Sequence, residues 1–140
     1  MRTFMRNLSL VYAAGSLGAL ANSLVVWLFG LLGMTAMAGV KIAPALALPW
    51  LYQRLVWGGI WGLLFLLPVL VKSPFLRGVL FSVGPTLVQL FVVFPFQAGK
   101  GMLGLQLGGA TPLFVVIFNA IWGVVAAYWL KLVDDTRLKD

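Results

Sequence analysis

Chemistry in this chain would have to come from a short inventory. It contains neither His nor Cys, and its three acids, Asp134, Asp135 and Asp140, all fall in the last seven residues. The commonest neutral-pH base, metal ligand and haem ligand are therefore missing, along with any thiol nucleophile or disulfide. Paired-carboxylate, metal and thiol mechanisms have no residues to run on, and nothing positions a Ser or Lys as nucleophile. The sequence predicts no enzyme, no metal and no cofactor.

What remains is amides, hydroxyls, aromatics and ten bases. Asn22 and Asn119 sit deep in apolar runs, where an amide is costly unless hydrogen-bonded. They predict contacts between helices, or polar contacts to a ligand or narrow pore. Ser82, Thr86 and Gln89 are open to the same two roles. Trp61 and Trp122 lie inside apolar runs, where indoles fill space between helices or face lipid, a partner or a flat apolar ligand. Lys41 and Lys100, each preceded by Gly, are candidates for contact with an anion or lipid headgroup, or for snorkelling. The full phosphate-loop spacing is absent around both.

The elements that position these residues must be membrane helices. The chain is 62% hydrophobic and 9% charged over 140 residues, against about 25% charged in a soluble domain. So small a fold cannot hide that apolar surface in its interior. The bases are scattered rather than grouped in a stripe, so the net charge of +7 predicts no nucleic-acid partner.

A spanning helix needs roughly 20 apolar residues. Four stretches qualify: 8–32, 51–71, 75–96 and 112–133. The first begins like a signal peptide, but its apolar run continues beyond the small-residue pattern Ala19-Leu20-Ala21, which reads as an uncleaved anchor. Arg54, near one end of the second, is expected to snorkel to the headgroups. The N-terminus, the middle loop and the tail carry seven of the ten bases (Arg2, Arg6, Lys72, Arg77, Lys131, Arg137 and Lys139), and the opposite side carries Lys41, Arg54 and Lys100. That bias predicts both termini in the cytoplasm, in a bacterial-type inner or plasma membrane.

The halves resemble each other. An offset of 63 pairs Gly15 with Gly78, Leu17 with Leu80, Leu24 with Leu87, Val25 with Val88 and Pro49 with Pro112. An offset of 61 then pairs Ile60-Trp61-Gly62 with Ile121-Trp122-Gly123. This predicts an all-α protein of two tandem hairpins, 8–71 and 75–133, related by a pseudo-two-fold axis along the membrane normal, with a solvated tail over 134–140.

Small residues four apart predict close helix packing at Gly18 and Asn22, Gly58 and Gly62, Gly78 and Ser82, and Asn119 and Gly123. The loops 33–49 and 97–111 are Gly-containing yet apolar, which suits an interfacial helix or a covered re-entrant turn. Two functions fit. The first is an accessory or structural subunit that packs within a larger membrane complex, against other membrane subunits or copies of itself, or binds lipid-like ligands. The other is a small oligomeric channel or passive carrier for anionic or neutral solutes.

Overall fold

The computed structural model describes residues 1–137, with side chains through 133. It is helical throughout, with no strand among the described residues. Helix α1 runs Arg2–Leu31, the single turn α2 Met34–Met37, α3 Leu48–Trp61, α4 Pro74–Val88 and α5 Thr111–Arg137. A 3-10 segment, Gly62–Leu66, extends α3, a π-helical segment, Gln89–Gln97, extends α4, and a second 3-10 segment, Met102–Leu107, precedes α5. Three helices are long and apolar enough to cross a bilayer: Arg2–Leu31, Pro74–Gln97 and Thr111–Val133. The chain is a helical membrane protein. The side chains of the three acids lie outside the described residues.

Prolines set the helix boundaries. Pro49, Pro74 and Pro112 occupy first turns, where a missing N–H costs nothing. Pro68 forces Leu67 out of the helical region, to φ −72 and ψ 128, and stops the rod begun by α3. The carbonyls freed there are taken by Arg77, whose Nη2 donates to O of Phe65 at 2.6 Å and to O of Leu67 at 3.1 Å. Pro85 and Pro95 lie within the Pro74–Gln97 rod. Each lacks the N–H that would hold the α-helical register, and the rod widens into π-helix over Gln89–Gln97, across Pro95.

The four rods alternate in direction. Gly15 meets Gly58 and Gly62 across the α1–α3 seam, and Gly78 meets Gly123 across the α4–α5 seam. α5 also packs along α1, where a Cβ on Gly18 would stand 3.0 Å from the indole of Trp122. Towards the end of the bundle that carries the termini, α3 and its 3-10 extension meet α4 through Trp61 against Gly84 and a T-shaped pair, Phe65–Phe81, with centroids 5.0 Å apart. Such a pair contributes roughly 0.5–1.5 kcal/mol beyond its buried area.

Two apolar clusters result. Val11, Ala14, Ala19, Phe65, Phe81, Trp122, Ala126 and Ala127 fill the half nearer the termini, and Leu90, Phe94 and Val115 fill the half nearer the loops. Outward-facing Leu24, Leu28, Val56, Leu80, Val83, Leu87 and Val116 are exposed, as they must be to face lipid tails.

The two long loops form a cap on the bundle rather than separate interfacial elements. N–H of Lys41 donates to O of Leu107 at 2.8 Å. Thr35, fully buried, donates to O of Ile42 at 2.7 Å. Gly108, at φ 146, lies so close to the backbone of Gly39 and Val40 that a Cβ would stand 3.0 Å from Cα of Val40. Only glycine meets both the conformation and the clearance there.

Candidate functional site: a polar layer around Arg54

Between the two apolar clusters lies a layer of polar side chains drawn from all four rods. Asn22 and Ser23 come from α1, and Arg54 from α3. Thr86 comes from α4, Gln89 from its π extension and Asn119 from α5. Asn22 is about nine residues, or ~14 Å of helix, from the loop end of α1, and Asn119 about eight residues from that of α5. Along both helices the layer thus lies in from the loop ends by about half the ~30 Å that a spanning segment must cover.

The expected snorkelling of Arg54 is corrected here. Its half-buried guanidinium turns into the bundle, donating through Nε to Oγ of Ser23 at 2.8 Å and through Nη2 to Oδ1 of Asn22. Trp50 packs under it, with the guanidinium carbon 4.8 Å from the ring centroid. Asn22 and Ser23 lie well inside α1, so they hold the charge within the bundle. Both acceptors are neutral, and residues 1–133 contain no carboxylate side chain.

The amides complete the layer. Nδ2 of Asn22 donates to O of Phe118 at 2.5 Å, tying α1 to α5. Nδ2 of Asn119 donates to Oγ1 of Thr86 at 3.1 Å and Oε1 of Gln89 at 3.3 Å, tying α5 to α4. Both asparagines therefore join helices, and both also line open space.

Two cavities, each of about 390 Å³, share Asn22, Arg54, Gln89 and Asn119 as a common wall. The first lies between α3 and α4, with Trp57, Trp61 and Trp122 on its sides and Gln53 and Gln97 at its rim. The second lies inside the bundle under the loop cap, lined by Lys41, Trp50, Phe94 and Phe118 among others. Their size falls in the range of about 300–1,000 Å³ typical of small-molecule sites.

The residues singled out in the sequence separate into four groups. Asn22, Gly58, Trp61, Asn119 and Trp122 converge on the first cavity. Trp122 is buried, and its Nε1 donates to O of Gly15 at 3.0 Å, whereas Trp61 is half-buried against Gly84. Gly18, Gly62, Gly78 and Gly123 lie in the packing seams. Ser82 is buried and donates within its own helix, to O of Val79 at 2.7 Å. Lys41 and Lys100 are both exposed, and their surroundings differ: Lys41 lines the capped cavity, while N–H of Lys100 closes the turn after the π segment on O of Phe94 at 2.7 Å.

The site residue that sequence reasoning missed is Arg54. The available signal was an arginine inside an apolar run, together with an asparagine in the facing run.

No protein family matches this chain, and no curated protein sequence or solved structure matches it. The fold and the site define its class: a helical membrane protein with a guanidinium held on neutral acceptors between two cavities.

Proposed function

We propose that the chain is a non-enzymatic membrane protein that binds an anionic ligand at Arg54, as a passive carrier or binding protein rather than an accessory subunit. One observation carries this reading: a guanidinium inside the bundle whose hydrogen-bond partners are neutral, in a chain with no acid before residue 134. An uncompensated charge at this depth is costly, and an anion that enters the cavity would offset the cost. Lys41 on the neighbouring cavity adds positive potential of the same sign.

The accessory-subunit reading drew its motive from small-residue faces available to a partner. Gly15, Gly18, Gly58, Gly62, Gly78 and Gly123 are all in contact within the chain, which weakens that motive. The lack of His, Cys and intramembrane acids supports a role without chemistry.

The reading includes four crossings. Leu48–Trp61 and Gly62–Leu66 together make a rod of about 31 Å, at ~1.5 Å per α-helical and ~2.0 Å per 3-10 residue, enough for a ~30 Å core. It also includes a duplicated hairpin. The contact of Gly15 with Gly62 and that of Gly78 with Gly123 fall on the offsets of 63 and 61 that relate the halves. With the bases concentrated at the end that carries the termini, both termini would be cytoplasmic, in a bacterial-type inner or plasma membrane.

The test is thermal stabilisation of the purified protein by a panel of anions, from phosphate and acetate to long-chain carboxylates. At least one is expected to raise the melting temperature of the native chain and not that of Arg54→Gln, since a ligand at about 100 times its Kd adds ~2.7 kcal/mol. If every anion acts equally on both proteins, the reading fails.

A further inference from the structure

We infer, building on the anion-binding reading, that the ligand is a single-chain anionic amphiphile drawn from the membrane between α3 and α4, its head on Arg54 and its chain along Trp57, Trp61 and Trp122.

The first cavity opens sideways. Its rim residues Gln53, Trp57, Val88 and Gln97 are exposed and belong to α3 and to the Pro74–Gln97 rod. Its back wall, Ala19, Asn22, Asn119 and Trp122, belongs to α1 and α5, which are sealed together by Asn22 on Phe118 and by Gly18 on Trp122. Towards the termini the slot is closed by Trp61 on Gly84 and by Phe65 on Phe81. Trp57 is 61% exposed, on the outer side of the slot.

At the loop end a soluble anion meets the backbone contacts of Lys41 with Leu107, Thr35 with Ile42 and Gly108 with Gly39, whereas the rim of the slot exposes apolar surface at Trp57 and Val88.

The head chemistry follows from which guanidinium edge is used. Nε and Nη2 serve Ser23 and Asn22. The end formed by Nη1 and Nη2 still presents two parallel N–H donors, the geometry that a two-oxygen anionic head takes bidentately. Oε1 of Gln89 accepts from Asn119, which leaves the Gln89 amide N–H₂ as a further donor beside the head. Beyond the polar layer, Trp57, Trp61, Trp122, Pro85 and Val88 offer a continuous apolar wall. A volume of about 390 Å³ is near the low end for ligand sites and suits one chain rather than two.

The test uses the full chain in nanodiscs of phosphatidylcholine. A fatty acid brominated along its chain is titrated in, and quenching of tryptophan fluorescence is read. The controls are the brominated methyl ester, which has the same chain and no charge, and the soluble competitors butyrate and inorganic phosphate. The expected result is saturable quenching by the acid but not by the ester at equal membrane mole fraction. It should be weakened about tenfold or more in Arg54→Gln and partly restored in Arg54→Lys. A brominated lysophosphatidate run in parallel separates a phosphate head from a carboxylate head, and saturable quenching by either supports the assignment.

Equal quenching by the ester overturns the proposal without reliance on any variant. If butyrate or phosphate displaces the acid, or stabilises the protein where the acid does not, the amphiphile is overturned while anion binding at Arg54 stands. If no anion of any kind binds, both fall.

Discussion

The guanidinium of Arg54 in α3 donates to Oδ1 of Asn22 in α1, two residues 32 apart in sequence. This contact fixes how the site is charged, because an asparagine holds the arginine in place without neutralising it. Asn22→Asp would supply the missing carboxylate while keeping the acceptor. Asp also loses the Nδ2–H that donates to O of Phe118, so no gain in melting temperature is expected, while anion affinity weakens by about tenfold or more because the internal carboxylate now occupies the guanidinium. Calorimetry with the best ligand from the anion panel checks both.

The glycine seams lend themselves to a direct comparison. A Cβ on Gly78 would stand 2.5 Å from C and O of Gly123 on the facing helix. Neither backbone can yield without opening the α4–α5 interface. Gly78→Ala is expected to destabilise by roughly 1–3 kcal/mol or more, as overpacking between backbones has no side chain to deflect. Gly109→Ala, with nothing within 4 Å of its Cβ, is expected to be neutral or slightly stabilising. Thermal unfolding in one detergent ranks the two.

Trp122 tests a different interaction. Its Nε1 donates to O of Gly15 at 3.0 Å across the α1–α5 seam. Phenylalanine keeps most of the apolar volume and removes the donor. Trp122→Phe should cost up to about 1.7 kcal/mol, the upper end for hydrogen bonds between membrane helices, plus a contribution from the smaller ring. A loss far outside that range in equilibrium unfolding would mean that the indole's shape dominates over its hydrogen bond.

Much of this architecture was legible in the sequence, and the parts that were not have identifiable physical causes. The apolar runs 8–32, 75–96 and 112–133 correspond closely to α1, the Pro74–Gln97 rod and α5, because a long hydrophobic run in so uncharged a chain has few other solutions. The asparagines stood out for the same reason, as polar groups in an apolar setting. The run 51–71 reads as one uniform stretch. The helix instead starts earlier, at Leu48, and gives way to extended chain at Leu67, because Pro68 outweighs apolar continuity. Hydropathy does not report where backbone hydrogen bonds stop. The inward turn of Arg54 was missed because a long cationic side chain near the end of a run can satisfy itself in the headgroups. What turns it inward is a pair of acceptors about 31 residues away, a tertiary relation with no local signature. The loop cap was hidden similarly, since Gly39 and Gly108 become partners only once the hairpins pack.

The cap itself makes a prediction that hydrogen exchange can check. N–H of Lys41 is held by O of Leu107, and their proximity depends on Gly108 lying against Gly39. Gly108→Ala places a side chain at φ 146, where an L-residue is strained whatever the space. The amide of Lys41 is expected to exchange about tenfold faster or more in the variant, as local opening loses on the order of 1.4 kcal/mol, while amides within α1 and α5 keep their protection. Uniform acceleration would show that the cap and the bundle unfold as one unit.

The number of crossings and their direction can be read without background labelling, because the chain has no cysteine. Single substitutions Met37→Cys and Ala98→Cys mark the two long loops, and Leu70→Cys marks the turn between the hairpins; all three positions are exposed. In intact cells a membrane-impermeant thiol reagent should label positions 37 and 98 and leave 70 unlabelled until the membrane is opened. Four crossings with both termini cytoplasmic require this pattern. If position 70 labels together with 37, the rod 48–66 does not cross. In that case Arg54 would lie near an aqueous surface rather than at mid-depth, and the energetic argument for an anion beside it would lose its basis, because water would already screen the charge. If all three labels invert, the crossings stand and the slot between α3 and α4 faces the cytoplasmic leaflet, so the search for its ligand would move to lipids of that leaflet.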